Sequence, residues 1–181
     1  LKVTGEWGEE CLEALKSFIK SGIVYSDNIA QPPTEGKWIT INKTLKVLTL
    51  YEDKRVLSKY PVAIGAGATP TPEGKYSIVS RVVNPTWGGG GYAKPVKGGS
   101  PKNPLGYRWM GLSINGGSSY GIHGNNSPYS IGKNISHGCI RMINSDVEGL
   151  FDLVELDTPV WIGSSEKLNE WGVDQNNEKL K

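Results

Sequence analysis

No stretch of this 181-residue chain approaches the roughly 20 apolar residues a membrane-spanning helix needs, and its first residues lack the form of a signal peptide. The chain starts at Leu1, not Met, so it is expected to be a mature or trimmed fragment, with any export signal or membrane anchor lying outside it. A charge excess is lacking as well: 20 Lys and Arg stand against 18 Asp and Glu, a net of +2. With no basic run, that balance gives no support to nucleic-acid binding. There is no internal repeat or low-complexity array. What is present, a hydrophobic fraction of 37%, excludes the disordered and fibrous classes and suits one domain with short appendages.

Residues 9–20 (EECLEALKSFIK) read as a short helix, with Cys11, Leu12, Leu15, Phe18 and Ile19 at helical spacing and Gly22 as a stop. The stretch to Gly36, holding Pro32 and Pro33, reads as a linker. From Lys37 the texture turns to β. KWITIN, TLKVLTLY, RVLSKYPVAIG and GKYSIVSRVV alternate apolar and polar positions across short turns, which predicts a four-stranded antiparallel sheet needing a second layer. Residues 84–106 hold most of the Gly and Pro of the middle region. They read either as a floppy insertion or as a flap over a cleft, with Trp87 and Tyr92 as aromatic contacts. Order returns with YRWMGLSI, YGIHG and ISHGCIRM. A helix is then predicted from Ser145, with Glu148 completing a capping box, and Thr158-Pro159 ends it before the strand VWIG. The polar segment from Ser164 reads as a solvated tail.

Histidine and cysteine are the scarcest reactive residues, two of each. Spacing does not decide whether Cys11 and Cys139 pair, and Cys11 reads as a small apolar residue on a helix face. Cys139 differs, because both histidines, His123 and His137, stand in the short stretch that ends at it. Nucleophilic acyl transfer uses such a cluster: an imidazole accepts the thiol proton and later delivers one to a leaving amine. No Asp or Glu lies between Ile122 and Ile143, so the group orienting the base would be a backbone carbonyl. Gly138 permits a tight turn whose N–H groups face a developing oxyanion, and Gly124 offers the same freedom beside His123. Two other readings compete: a zinc site, since two His and one Cys reach three ligands, and a buried structural cysteine. Arg141 would share a strand face with Cys139, where its guanidinium suits a substrate carboxylate or a surface ion pair.

The run Ile-His-Gly at Ile122–Gly124, with Ser-His-Gly-Cys-Ile-Arg-Met at Ser136–Met142, resembles the active-site signature of the L,D-transpeptidase family, the YkuD-type catalytic domain. TPEGKY (Thr71–Tyr76) and NPLGYRWM (Asn103–Met110) also resemble that family's segments, and the likeness extends over residues 37–163. It implies a mainly β, sandwich-like domain with one or two short helices. It also implies a substrate, the peptide stem of peptidoglycan. Cys139 would attack the carbonyl of the third stem residue, a diamino acid, and expel D-alanine. A second stem's amine would then give a 3→3 cross-link, or water a carboxypeptidase product. By the same resemblance His123 is the base, oriented by the Gly124 carbonyl, and His137 shapes the nucleophile's surroundings. The N–H groups of Gly138 and Cys139 form the oxyanion hole, and Arg141 and Ser136 contact substrate. No metal or cofactor is implied, carbapenem-type β-lactams are implied inhibitors, and the setting is extracytoplasmic, at the cell wall. VTGEWGEECLEALKSF resembles the closing stretch of a peptidoglycan-binding domain. The expected division is therefore a remnant at 1–24, a linker at 25–36, the catalytic domain at 37–163 and a tail at 164–181. A cell-wall binding module without catalysis is the alternative from another class.

Overall fold

The computed structural model describes residues 27–175. The helix predicted over 9–20, with Cys11 and the binding-domain remnant, lies outside the described residues. Among the described residues, eleven strands and two α-helices follow in chain order. They are β1 (Asn28–Ile29), β2 (Lys37–Asn42), β3 (Val47–Glu52), β4 (Arg55–Gly65), β5 (Gly74–Val83), β6 (Arg108–Leu112), β7 (Gly121–His123), β8 (Asn134–Ser136), β9 (Ile140–Met142), α1 (Asn144–Leu153), β10 (Pro159–Gly163), α2 (Ser165–Glu170) and β11 (Val173–Asp174).

The large sheet runs β3-β2-β10-β5-β6-β7-β9-β4-β8, and a further β3–β4 pairing closes it into a ring with β8 attached beside β4. Closure removes the exposed edges an open sheet would leave. Alternation along each strand sends one set of side chains inward. Ile39, Ile41, Leu48, Leu50, Val62 and Ile78 belong to that core, which Val147 and Leu150 of α1 complete.

The mainly β expectation holds, and the departures from it have physical reasons. The first three predicted strands form the antiparallel meander, but β5 leaves it to pair with β10 and β6. The turn at residues 65–73 turns away to the loop before Cys139 instead of making a hairpin. Helix α1 starts at Asn144 after Ile143, whose side chain caps nothing, and Glu148 pairs with Arg108 at 3.4 Å rather than closing a capping box. The expected linker and solvated tail also carry structure: β1 and β11 pair antiparallel. Leu168 of α2 and Val173 of β11 pack with Trp38, Tyr51 and Trp161 in a second cluster outside the ring. Apolar residues at Leu168, Trp171 and Val173, diluted among polar ones, disguise that face in sequence.

Candidate active site

Strand register builds the floor of the site. Val82 pairs with Trp109, Trp109 with His123, and His123 with Arg141 across β5, β6, β7 and β9. Paired residues share a sheet face, and all four line one cavity of about 830 Å³, a volume typical of small-ligand sites. Cys139 and His137 line it too, on the turn that leads into β9.

His123 is 4% exposed, and its Nδ1 lies 2.6 Å from the Gly124 carbonyl oxygen. A carbonyl only accepts, so Nδ1 carries the proton and Nε2 presents its lone pair. The Trp109 indole stacks on the imidazole, 5.7 Å between centroids and 18° between planes. Space for the indole comes from Gly121, where a Cβ would sit 2.7 Å from the Trp109 ring. Burial holds the imidazole pKa down at about 4; the Gly124 carbonyl opposes this and the charge of Arg141 adds to it.

The Cys139 thiol is partly exposed and donates to the Ser119 carbonyl at 3.5 Å. Burial raises its pKa, countered by the Gly121 backbone and by Arg141. Both shifts favour the neutral forms, a thiol and an uncharged imidazole that line one cavity.

The loop before Cys139 is held at several points. Gly138 has φ 110°, and a Cβ there would sit 2.6 Å from the Tyr120 ring, so only glycine fits. Thr71 Oγ1 donates to the Gly138 carbonyl and accepts from Gly65 N–H, both at 2.9 Å. Ala66 N–H and Thr69 Oγ1 donate to the Ser136 carbonyl at 2.8 and 3.1 Å. Ser136 is buried, its hydroxyl donating to the Cys139 carbonyl and accepting from Gly138 N–H at 3.1 Å. Both of its bonds thus stay inside the loop, and the Gly138 N–H is already engaged. His137 is exposed at the rim, its ring 6.1 Å from that of Tyr92.

Residues 84–106 form one wall of the cavity through Trp87, Tyr92, Pro104 and Leu105. Trp87 and Val96 exchange backbone hydrogen bonds at 2.9 Å, and the buried Asn103 amide donates to the Pro85 carbonyl at 2.8 Å. The segment is therefore an anchored flap. From Gly74 to Ser145 the chain contains no Asp or Glu, while Lys94, Lys97, Lys102, Lys133 and Arg141 fall in that stretch. Among the described residues no acidic side chain lines the cavity.

Thr71, Trp109 and Asn144 were not singled out from the sequence. Thr71 and Trp109 sit inside the TPEGKY and NPLGYRWM segments, which was the available signal; Asn144, beside a helix start, reads only as a terminus residue.

Residues 36–162 match the family YkuD, described as the L,D-transpeptidase catalytic domain. Among curated L,D-transpeptidase relatives, YqjB of Bacillus subtilis is 41% identical over 127 residues, covering 69% of this chain and 70% of its own length. The solved Ldtfm–avibactam carbamoyl enzyme is 26% identical with a TM-score of 0.60, covering 73% of this chain and 50% of its own. L,D-transpeptidase 3 from Mycobacterium tuberculosis, in complex with a faropenem-derived adduct, shares the fold at 16% identity and a TM-score of 0.60, covering 71% of this chain and 60% of its own. The chain thus spans half to three-fifths of the length of those two solved chains.

Proposed function

Since the chain belongs to the L,D-transpeptidase family, we propose that it forms 3→3 peptidoglycan cross-links through an acyl-enzyme on Cys139, with His123 as general base. The observation that carries this reading is the fixed tautomer of His123: Nδ1–H is held by Gly124, leaving Nε2 as a neutral acceptor in the cavity that Cys139 also lines. The thiol turns from the Ser119 carbonyl to Nε2, gives up its proton, and the Sγ–C bond forms at the carbonyl of the third stem residue. Imidazolium then protonates the departing amine as the C–N bond breaks and D-alanine leaves. The acceptor amine repeats the sequence in reverse, returning the proton to sulfur.

The Cys139 N–H leads as oxyanion donor, because the Gly138 N–H serves the Ser136 hydroxyl. Ser136 accordingly positions the loop, a different role from the substrate contact the resemblance implied. Arg141, in the cavity and two residues beyond the nucleophile, suits a stem carboxylate. The absence of acidic residues from 74 to 145 supports an anionic substrate. His137 lies beside Tyr92 at the entrance, which supports a part in shaping that entrance and none in proton transfer. β-Lactams of the carbapenem type are strained acyl donors for the same thiol, a reading supported by the related β-lactam adduct, derived from faropenem, on the M. tuberculosis relative. Action at the cell wall, outside the cytoplasm, follows from this substrate; no described helix is long and apolar enough to cross a membrane.

The test is incubation with purified tetrapeptide muropeptides and mass analysis of the products. Cross-linked dimers with free D-alanine are expected. Tripeptides alone would make the protein an L,D-carboxypeptidase, and retention on sacculi with no product at all would make it a binding module.

A further inference from the structure

The peptide group between Gly124 and Asn125 is hydrogen-bonded at both ends. Its carbonyl accepts from His123 Nδ1 at 2.6 Å, and its N–H donates to Asn144 Oδ1 at 3.0 Å. The Asn144 amide also donates, through Nδ2, to the Asn125 carbonyl at 3.0 Å. Flipping the amide would set donor against donor and acceptor against acceptor, so these backbone partners fix its orientation.

We infer that Asn144 is a positioning residue for the base, acting on His123 through the intervening peptide group in the place a carboxylate occupies when it touches an imidazole directly. The relay runs from Asn144 Oδ1 to the Asn125 N–H, across the peptide to the Gly124 oxygen, and on to His123 Nδ1. A hydrogen bond at the N–H draws charge towards the oxygen of the same peptide, strengthening it as an acceptor by about 10–30%. Its moment of use is the transfer of the thiol proton to Nε2, when positive charge appears on a ring that is 4% exposed. No acidic residue from 74 to 145 stands ready to meet that charge.

The surroundings are shaped for this contact. A Cβ at either Gly106 or Gly124 would collide with Asn144 Oδ1. Gly106, with φ 65°, ends the flap, so the same amide ties the flap's anchor to the base. Asn125 is further fixed by its own side chain, which donates to the Met142 carbonyl at 2.6 Å and accepts from Ser127 N–H at 2.8 Å. The peptide plane that holds the imidazole is thus registered against β9 and the first turn of α1.

The inference rests on His123 being the base, and its test separates the two claims. Nitrogen-15 NMR of the full chain reads the His123 tautomer without any substrate; with only two histidines the spectrum is simple. Wild type is expected to show one Nδ1–H tautomer. Asn144→Ala should show mixed tautomers and a fall of about 10- to 100-fold in the Cys139 acylation rate at saturating faropenem, with a smaller change in the half-saturating concentration. Asn144→Asp, which keeps an acceptor on the Asn125 N–H, should restore the single tautomer and most of the lost rate. An Asn144→Ala protein with both tautomer and rate unchanged overturns the inference, as does an Asn144→Asp protein as slow and mixed as the alanine variant. If the alanine variant does not fold, the aspartate variant decides by the same two readouts. Wild type that shows the tautomer but is never acylated would overturn the proposed function and leave the placement of His123 standing.

Discussion

Replacing Thr71 by valine keeps the side chain's volume and removes only its hydroxyl, which makes it the sharpest probe of how the proposed nucleophile, Cys139, is held. That hydroxyl satisfies the Gly138 carbonyl and the Gly65 N–H at 2.9 Å each, and Thr71 is 1% exposed. Valine leaves both backbone groups buried and unpaired, at about 1–3 kcal/mol apiece before relaxation. A net loss of about 2–4 kcal/mol is expected, which lowers Tm by about 4–16 °C for a chain of this size. The functional consequence is more specific than the thermal one. The Gly138 carbonyl and the Cys139 N–H belong to one peptide group, so Thr71 also sets the plane in which the proposed oxyanion donor points. Mispointing one such donor slows acylation by about 100-fold. Thr71→Ser keeps both hydrogen bonds and loses a methyl group, so it should cost about 1 kcal/mol and leave acylation close to wild type. Thermal unfolding followed by circular dichroism, together with the acylation rate by stopped-flow, reads both effects. A Thr71→Val protein within 2 °C and twofold of wild type would refute the reasoning, since 2 °C is the least that about 1 kcal/mol produces.

Three further outcomes follow from the same geometry. The His123 pKa is about 4 when folded against 6.5 ordinarily, so its contribution to stability is complete above 6.5 and is lost as pH falls towards 4. Unfolding free energies from urea titrations at pH 7 and pH 4 should therefore differ by about 3 kcal/mol less in His123→Asn than in wild type. Trp109→Leu unstacks the imidazole and admits water; the His123 pKa should rise towards its ordinary value, read by NMR titration, and acylation should slow about tenfold. Tyr51→Phe removes hydrogen bonds to Asp27 at 2.6 Å and from Gln175 at 2.7 Å in a network away from the cavity. Unfolding in urea should show a loss of about 1–3 kcal/mol with the acylation rate unchanged.

The sequence carried the local patterns well and the long-range placements poorly. Alternation at Trp38–Asn42 and Val47–Tyr51 marks strands because successive side chains point to opposite faces, and both strands form, buried on both faces. Pairing of β5 with β10 was hidden, because no local feature of Tyr76 or Val160 encodes a partner about eighty residues away. That His123 and Cys139 line one cavity was foreshadowed by the sequence, because both histidines fall in the short stretch that ends at that cysteine. The groups that hold them, Thr71, Trp109 and Asn144, come from distant segments and are of types that usually do structural duty. The helix start was also displaced from Ser145: α1 begins at Asn144 after Ile143, and Glu148 pairs with Arg108, supplied by β6. At the C-terminal end, Leu168 and Trp171 gain meaning only once Trp161 is placed against them.

The most direct test of the central claim is the intact mass of the protein after incubation with a carbapenem, followed by peptide mapping. A neutral thiol activated by a neutral imidazole predicts one covalent adduct on Cys139, none in Cys139→Ala, and formation slowed by about 100-fold or more in His123→Ala. An adduct that persists in Cys139→Ala, or one that forms in His123→Ala at the wild-type rate, would contradict the account.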